Sequence, residues 1–308
     1  MRRCRCRRLL ALLALLMLLP AFAAGAAERR LTSVGSDTLG ELLQAWSQAY
    51  ADTDAALRFQ IRTPGSAAAP AALAAGAADL GPMSRAMTAE EATDYQRRRG
   101  REPGRVRIAY DAVVLFVHPD NPLHELRLAD VARIWAADER CGGADAARWR
   151  ELGVGGALAD QPLLRLGRNT ASGTFEFFQQ AALCGGGYRA DVVQFPGAGA
   201  IVAAVARTPN AIGYAGLGHA NGLVRVLPLA RGGEAAVLPD AATVIAGRYP
   251  LARPLYLYFN RADDGRPSPE VAAFLRFALS PRAQEIAVRH GFVALPAADV
   301  SRESGQLQ

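Results

Sequence analysis

LTSVGSDTLGELLQAWSQAY, residues 31–50, is the stretch whose reading decides the fold. Residues 31–34 look like a short strand, Gly35-Ser36-Asp37-Thr38 is a polar turn, and Leu39, Leu42, Leu43, Trp46 and Tyr50 follow on one helical face. The order strand, turn, helix is repeated at once. Residues 57–61 alternate as a strand, Pro64-Gly65-Ser66 turns the chain, and an alanine-rich helix runs to Ala75 and stops at Gly76. Residues 78–81 then read as a short buried strand closed by Pro82-Met83-Ser84-Arg85. Strands alternating with helices predict an α/β fold with substantially parallel sheets.

Further along, residues 106–118 include the apolar run 112–117, long enough for a strand crossing between lobes, and Pro-Asp-Asn-Pro at 119–122 closes it. A helix is expected at 128–135 and a strand at 163–166. Ser172-Gly173-Thr174 opens a further helix, which Gly185 to Gly187 stop. Strands follow at 211–217 and 223–227, and the apolar strand 255–260 could carry the chain back. Residues 269–291 form a long amphipathic helix or a helix pair. Two crossings predict two lobes: 28–114, then 115–250, then a return of 251–308 into the first.

Upstream of this pattern, residues 1–27 read as a secretory signal peptide: five arginines, an apolar run over 9–19, and a small-residue stretch over 20–27 with plausible cleavage after Ala23, Ala26 or Ala27. That run is shorter than the ~20 residues a spanning helix needs. Cys4 and Cys6 precede it, so no cysteine is placed for a lipid anchor. The formal net charge of the chain is +6, and the segment carries five of those charges with no acid, leaving +6 − 5 = +1. The basicity therefore leaves with the leader, and nothing points to nucleic acid. The run Arg97, Arg98, Arg99, Arg101 reads as a solvated helix end. Cys141 and Cys184 remain after cleavage, a pair that an oxidising compartment could join as a disulfide or leave as buried thiols.

Hydroxyl-bearing turns recur ahead of expected helices: Ser36 to Thr38, Ser66, and Ser172 to Thr174. The first amides of a helix have no intrahelical acceptor and sit at the positive end of its dipole, so each turn could cradle an anion or serve only as an N-cap. Arg168 lies four residues before Ser172 and could set a guanidinium fork beside the same helix start.

The segments VGSDT (34–38), PGS (64–66), ADLGPMSR (78–85), DAVVLFVHPDNP (111–122), RNTASGT (168–174) and AIGYAGL (211–217), in this order and spacing, resemble the PstS family of phosphate-binding proteins in its short form. The likeness runs along nearly all of the chain after the leader. It implies a two-lobed periplasmic binding protein of type II, each lobe a mainly parallel sheet flanked by helices, joined by two crossover strands. It also implies a periplasmic receptor, not an enzyme, monomeric and without cofactor, that takes inorganic phosphate between its lobes and delivers it to a membrane ABC importer permease. Carried over by position, Thr38 and Leu39 offer helix-start amides, Ser36 and Ser66 lie in the contributing turns, Arg168 supplies the charge-assisted contact, and Ser172, Gly173 and Thr174 ring the remaining oxygens. Ser84 stands where the family commonly has a carboxylate, which puts rejection of sulfate in question, with Asp37 or Asp79 as replacement acceptors. Ala67 and Ala68 stand where glycine is usual.

Other chemistry finds less support. The four histidines, His118, His124, His219 and His290, fall in no nucleophile pattern of the G-x-S-x-G kind. Histidines and cysteines show no metal-ligand spacing, and a G-x-x-x-x-G-K-[ST] phosphate loop is missing. The alternative to a phosphate receptor is the same fold binding sulfate or molybdate, or serving as a sensor or adhesion partner.

Overall fold

The computed structural model describes residues 29–141 and 143–307, so the expected leader lies outside the described residues. β1 (Arg29–Val34) leads through the GSDT turn to helix α1 (Gly40–Tyr50), and β2 (Leu57–Arg62) leads through Ser66 to α2 (Ala69–Ala74). The second helix is entered by a 3₁₀ turn, Ser66–Ala68, rather than directly. β3 (Leu80–Met83) precedes α3 (Ala89–Arg99), whose start is fixed by a reciprocal cap between Thr88 and Glu91 and whose end is a left-handed Gly100.

β4 (Gly104–Val117) then runs 14 residues, roughly 45 Å of extended chain. Its length is explained by its two sets of partners. Residues 104–112 pair with β11 and residues 113–117 pair with β8. The remaining elements are β5 (Leu126–Arg127), α4 (Leu128–Trp135), β6 (Leu164–Arg168), α5 (Gly173–Ala182), β7 (Val193–Phe195), α6 (Ala198–Val205), β8 (Ala211–Gly216), β9 (Arg225–Val226), β10 (Leu229–Ala230), α7 (Ala241–Ile245), β11 (Ala252–Phe259), α8 (Pro269–Ala278), α9 (Pro281–Arg289) and α10 (Ala297–Gly305).

The fold class is the α/β class expected, with a difference in the sheet. One continuous nine-stranded sheet runs β2-β1-β3-β11-β4-β8-β6-β7, with β9 also on β4. Pairing is parallel towards both ends, β1 with β2 and β3, β6 with β7 and β8. In the middle it is antiparallel, because β4 and β11 cross in opposite directions side by side and each carries its neighbours with it. The strand expected at 78–81 is shifted to Leu80–Met83, since its register is set by β11 (Tyr256 opposite Met83, Phe259 opposite Leu80). The expected strand 223–227 shrinks to the two residues that reach β4. The segment 269–291 breaks into two helices at Ser280, whose Oγ caps Ala283 N with Pro281 in the first turn.

Two large apolar cores flank the crossing strands. One draws on residues 31–109 and 255–307, and the other on 112–251 with Val293. In the first, Trp46 of α1 is fully buried, meets Phe274 edge-on at 6.5 Å, and donates its indole N–H to Ala283 O at 2.8 Å. In the second, Phe178 stacks on Tyr214 at 3.9 Å with Trp135 edge-on to both. Cys141 and Cys184 are joined as a disulfide, Cα atoms 5.8 Å apart and 43 residues apart in sequence. Closing a loop of that size removes unfolded-state entropy worth about 4 kcal/mol on the chain-entropy account. We expect the Cys141→Ser/Cys184→Ser variant to unfold in urea with a stability lower by about 2–4 kcal/mol. Equal midpoints for wild type and variant would mean the bridge constrains nothing.

Candidate functional site

Four chain segments ahead of or inside the helices converge where the two cores meet. The GSDT turn is pinned first: Gly35 N donates to Arg62 O and Ser36 N to Pro82 O at 2.8 Å. A Cβ on Gly35 would lie 2.2 Å from Pro82 O, so only glycine lets β1 and β3 close on each other here. Helix α1 is entered at Leu39 without any side-chain cap, which leaves the Thr38 hydroxyl uncommitted to capping. The same holds at Ser66, whose 3₁₀ turn also has no side-chain cap. Ser66 Oγ instead accepts from Ser84 N at 3.1 Å and lies 3.2 Å from Ser84 Oγ.

From the other core come Arg168, at the end of β6, and the start of α5. Ser172 is the N-cap of α5, its Oγ accepting from Thr174 N at 3.2 Å. Thr38 Oγ1 and Thr174 Oγ1 are 3.2 Å apart. Gly173 sits so close to the serine pair that a Cβ on it would fall 2.3 Å from Ser66 Oγ and 2.7 Å from Ser84 Oγ. Ala67 N donates to Ala171 O at 3.3 Å, a main-chain tie between the turns of the two halves. Thr38, Ser66, Ser84, Arg168, Gly173 and Thr174 are thus brought into one cluster, with Ser172 capping the helix beneath it. Ser36 and Leu39 lie beside Thr38, buried, and Ser36 Oγ has no hydrogen-bond partner among the described residues.

Electrostatically the cluster turns on Arg168, which is 1 % exposed. Its Nη2 donates to Pro196 O at 2.8 Å and pairs with Asp37 Oδ1 at 2.8 Å, while Nε and Nη1 are buried with no hydrogen-bond partner among the described residues. Its main-chain N–H is held by Tyr214 Oη at 3.2 Å. Burial pushes the Tyr214 phenol up to about 12, so it stays a neutral fixture at any working pH. Arg168 thus keeps two buried nitrogens without a partner among the described residues, beside the turn that carries Thr38, and unpaired buried guanidinium nitrogens are donors open to an acceptor.

Three features of this region escape the sequence. Asp37, one of two acids considered as an acceptor, is the ion-pair partner of Arg168, whereas Asp79 is tied up in the sheet, accepting from Thr32 N at 2.7 Å. Arg85, next to Ser84, reaches across to α5: its Nε is 2.6 Å from Glu176 Oε2, as an ion pair of poor hydrogen-bond angle, and its Nη2 is 2.7 Å from Glu91 Oε1. The two ends of that contact pull differently. Burial works against the Arg85 charge but the two carboxylates outweigh it, while burial raises the Glu176 carboxyl despite Arg85, with Glu91 adding repulsion. One cation is shared by two acids, so the contact aligns the halves more than it stabilises them. Third, His219 approaches Thr38 and Glu41, and burial lowers its imidazole below the ordinary value although Asp37, Asp111 and Glu41 favour the cation.

A domain model of the PBP superfamily matches residues 22–282. The phosphate-binding protein PstS of Pseudomonas aeruginosa is 39% identical over 269 residues, covering 87% of this chain and 83% of that protein. The chain belongs to the PstS family. Protein SphX of Synechococcus elongatus is a more distant relative, 26% identical over 91% of this chain and 82% of its own length. The fold of this PstS-family chain is also that of an ABC-type phosphate transport receptor from Vibrio cholerae, with a TM-score of 0.66, 20% identity, and cover of 86% of this chain and 100% of the other. Members of the PstS family are substrate-binding proteins and not enzymes, and the expectation that this chain is no hydrolase follows from its membership.

Proposed function

We propose that this chain is an exported receptor that holds inorganic phosphate where its two cores meet and delivers it to a membrane ABC importer permease. The observation that carries this reading is Arg168: a fully buried guanidinium with Nε and Nη1 unpaired among the described residues, tied through Asp37 to the turn whose Thr38 hydroxyl meets Thr174 of the other half. Each hydrogen bond to a charged group contributes roughly 1.5–3 kcal/mol net, and micromolar affinity corresponds to about −8 kcal/mol. Arg168, the hydroxyls of Thr38, Ser66, Ser84, Ser172 and Thr174, and the amides at Leu39 and Gly173 are enough to reach that without a metal. That relatives are phosphate-binding proteins supports phosphate as the ligand.

On this reading the lobes are 28–114 with 251–308, and 115–250, and β4 and β11 are the hinge strands between them. Residues 1–27 direct the chain to the periplasm, where it works as a monomer, with no part for nucleic acid. One observation favours the second reading, a broader oxyanion receptor: Ser84 offers a hydroxyl in place of a carboxylate and does not repel a fully ionised anion. Calorimetric titration with phosphate, sulfate and molybdate at two pH values decides between them. We expect a single phosphate site and weaker sulfate binding. Equal affinities would favour the broader receptor, and no heat with any of the three would sink both readings.

A further inference from the structure

The arginine run expected as a solvated helix end closes α3 and also borders a cavity. Arg98 and Arg99 belong to the last turn of α3, Arg101 follows Gly100, and Arg261 arrives from the far end of β11, some 160 residues later. These four guanidinium groups line a single surface cavity of about 210 Å³, with Asp263 as the one acid on its wall. A basic last turn complements the helix dipole, which accounts for Arg98 and Arg99 but not for the arrival of Arg101 and Arg261. The positive charge is neutralised only in part. Arg101 pairs with Asp263 at 2.8 Å, but that carboxylate is fully exposed and its effect is screened by solvent. Arg98 gives its Nε to Asp94, which it shares with Arg97. Those two arginines, Arg97 first, hold the Asp94 carboxyl below its usual range. Arg261 uses Nη1 on Gly265 O and lies 5.7 Å over the Phe259 ring, which anchors it at the rim. Arg99 leans on Tyr95, itself buried and bonded to Asn260 at 2.7 Å. A second cavity of about 360 Å³ continues past Arg261 to Arg105, with Glu102 as its only acid.

The four guanidinium groups, with Arg97 beside them, are offset only by Asp263 and by the Asp94 that Arg97 and Arg98 share, and a multiply charged anion relieves the remaining repulsion while taking planar two-pronged hydrogen bonds. The shape is too small for a polymer, and the excess charge exceeds that of a single phosphoryl group. We propose that this cavity is a second anion site, sharing no residue with the Arg168 cluster, for a small ligand bearing two or more phosphoryl groups. Such a ligand has two sources, a free condensed phosphate or the headgroup of an anionic lipid. The site is independent of what the cleft binds.

The test is calorimetric titration of the full exported chain with inorganic pyrophosphate at low ionic strength, with orthophosphate already saturating. One further binding event is expected, weakening steeply with added salt. Arg99→Ala/Arg261→Ala is expected to weaken it by about tenfold or more, and Arg98→Glu, at a side chain 59% exposed, gives a charge reversal that the fold tolerates. Orthophosphate affinity is expected to be unchanged in both, which certifies folding. In parallel, flotation with cardiolipin-containing vesicles assigns the source: retention lost in Arg98→Glu points to the lipid headgroup, and pyrophosphate binding without retention points to the free anion. Absence of both, or a pyrophosphate event that ignores Arg98, Arg99 and Arg261 and disappears in Arg168→Ala, overturns the proposal.

Discussion

Arg168→Ala is expected to weaken phosphate binding by about a hundredfold or more, the loss of two charge-assisted hydrogen bonds at roughly 1.5 kcal/mol each taken at the low end. The direction is reinforced by what the substitution leaves behind. Asp37 now pairs with Arg168 at 2.8 Å, and without the guanidinium its carboxylate would stand uncompensated beside an incoming anion. Arg168→Lys is expected to fall between wild type and alanine, since an ammonium keeps the charge but cannot serve Pro196 O, Asp37 and the ligand together from one planar fork. Calorimetry on all three proteins, with their thermal unfolding as a control for folding, reads the effect. Wild-type affinity in Arg168→Ala would remove the central assumption of the receptor reading.

How much of this was legible beforehand depended on whether the signal was local. The strand-turn-helix units at Gly35–Thr38 and at Ser172–Thr174 announce themselves because turn chemistry and apolar periodicity sit within a few residues of each other. β4 is legible for a different reason: buried on both faces over residues 112–117, it is spelled as an uninterrupted apolar run. What lay hidden needs a partner distant in the chain. β3 slides by two residues because β11 sets its register. β7 and α6, three and eight residues of weakly patterned sequence, exist through their packing on β6 and β8. At the candidate site the donors could be named from residue type, but their convergence could not. Neither could the choice of Asp37 over Asp79 as the acid beside Arg168, since both are single acids next to a turn and only the sheet register commits Asp79 to Thr32 N. Arg85 illustrates the same limit, as its meaning rests on Glu176, which lies on the opposite half.

Asp111→Ala is expected to cost about 3–5 kcal/mol of stability, the usual penalty for leaving one member of a buried ion pair alone. Asp111 and Arg253 are cross-strand partners on β4 and β11, at the point where both strands pass from one core to the other, and they are 0 % and 1 % exposed. Both Nε and Nη2 of Arg253 reach Asp111 Oδ2, at 3.0 and 2.7 Å, and Asp111 Oδ1 accepts from Leu217 N at 3.2 Å. Alanine would therefore strand a guanidinium and a main-chain amide together, with the Phe177 face at 5.4 Å from Arg253 Cζ as the remaining company for the charge. Asp111→Asn is expected to cost less, because its amide oxygen still serves Leu217 N. The paired replacement Asp111→Leu/Arg253→Met separates two explanations. If the pair holds its place through net attraction, the double variant should be as unstable as the single one. If, as we expect, most of the loss is the desolvation of an unpaired charge, the double variant should recover to within about 1–2 kcal/mol of wild type in urea unfolding. In that event the ion pair's contribution is positional. A polar lock between two crossing strands fixes their register at the bend, where two apolar residues could slide, and it does so close to the site, since a Cβ on Gly216 would lie 3.0 Å from Asp111 Oδ2 and 3.4 Å from Thr38 Cγ2.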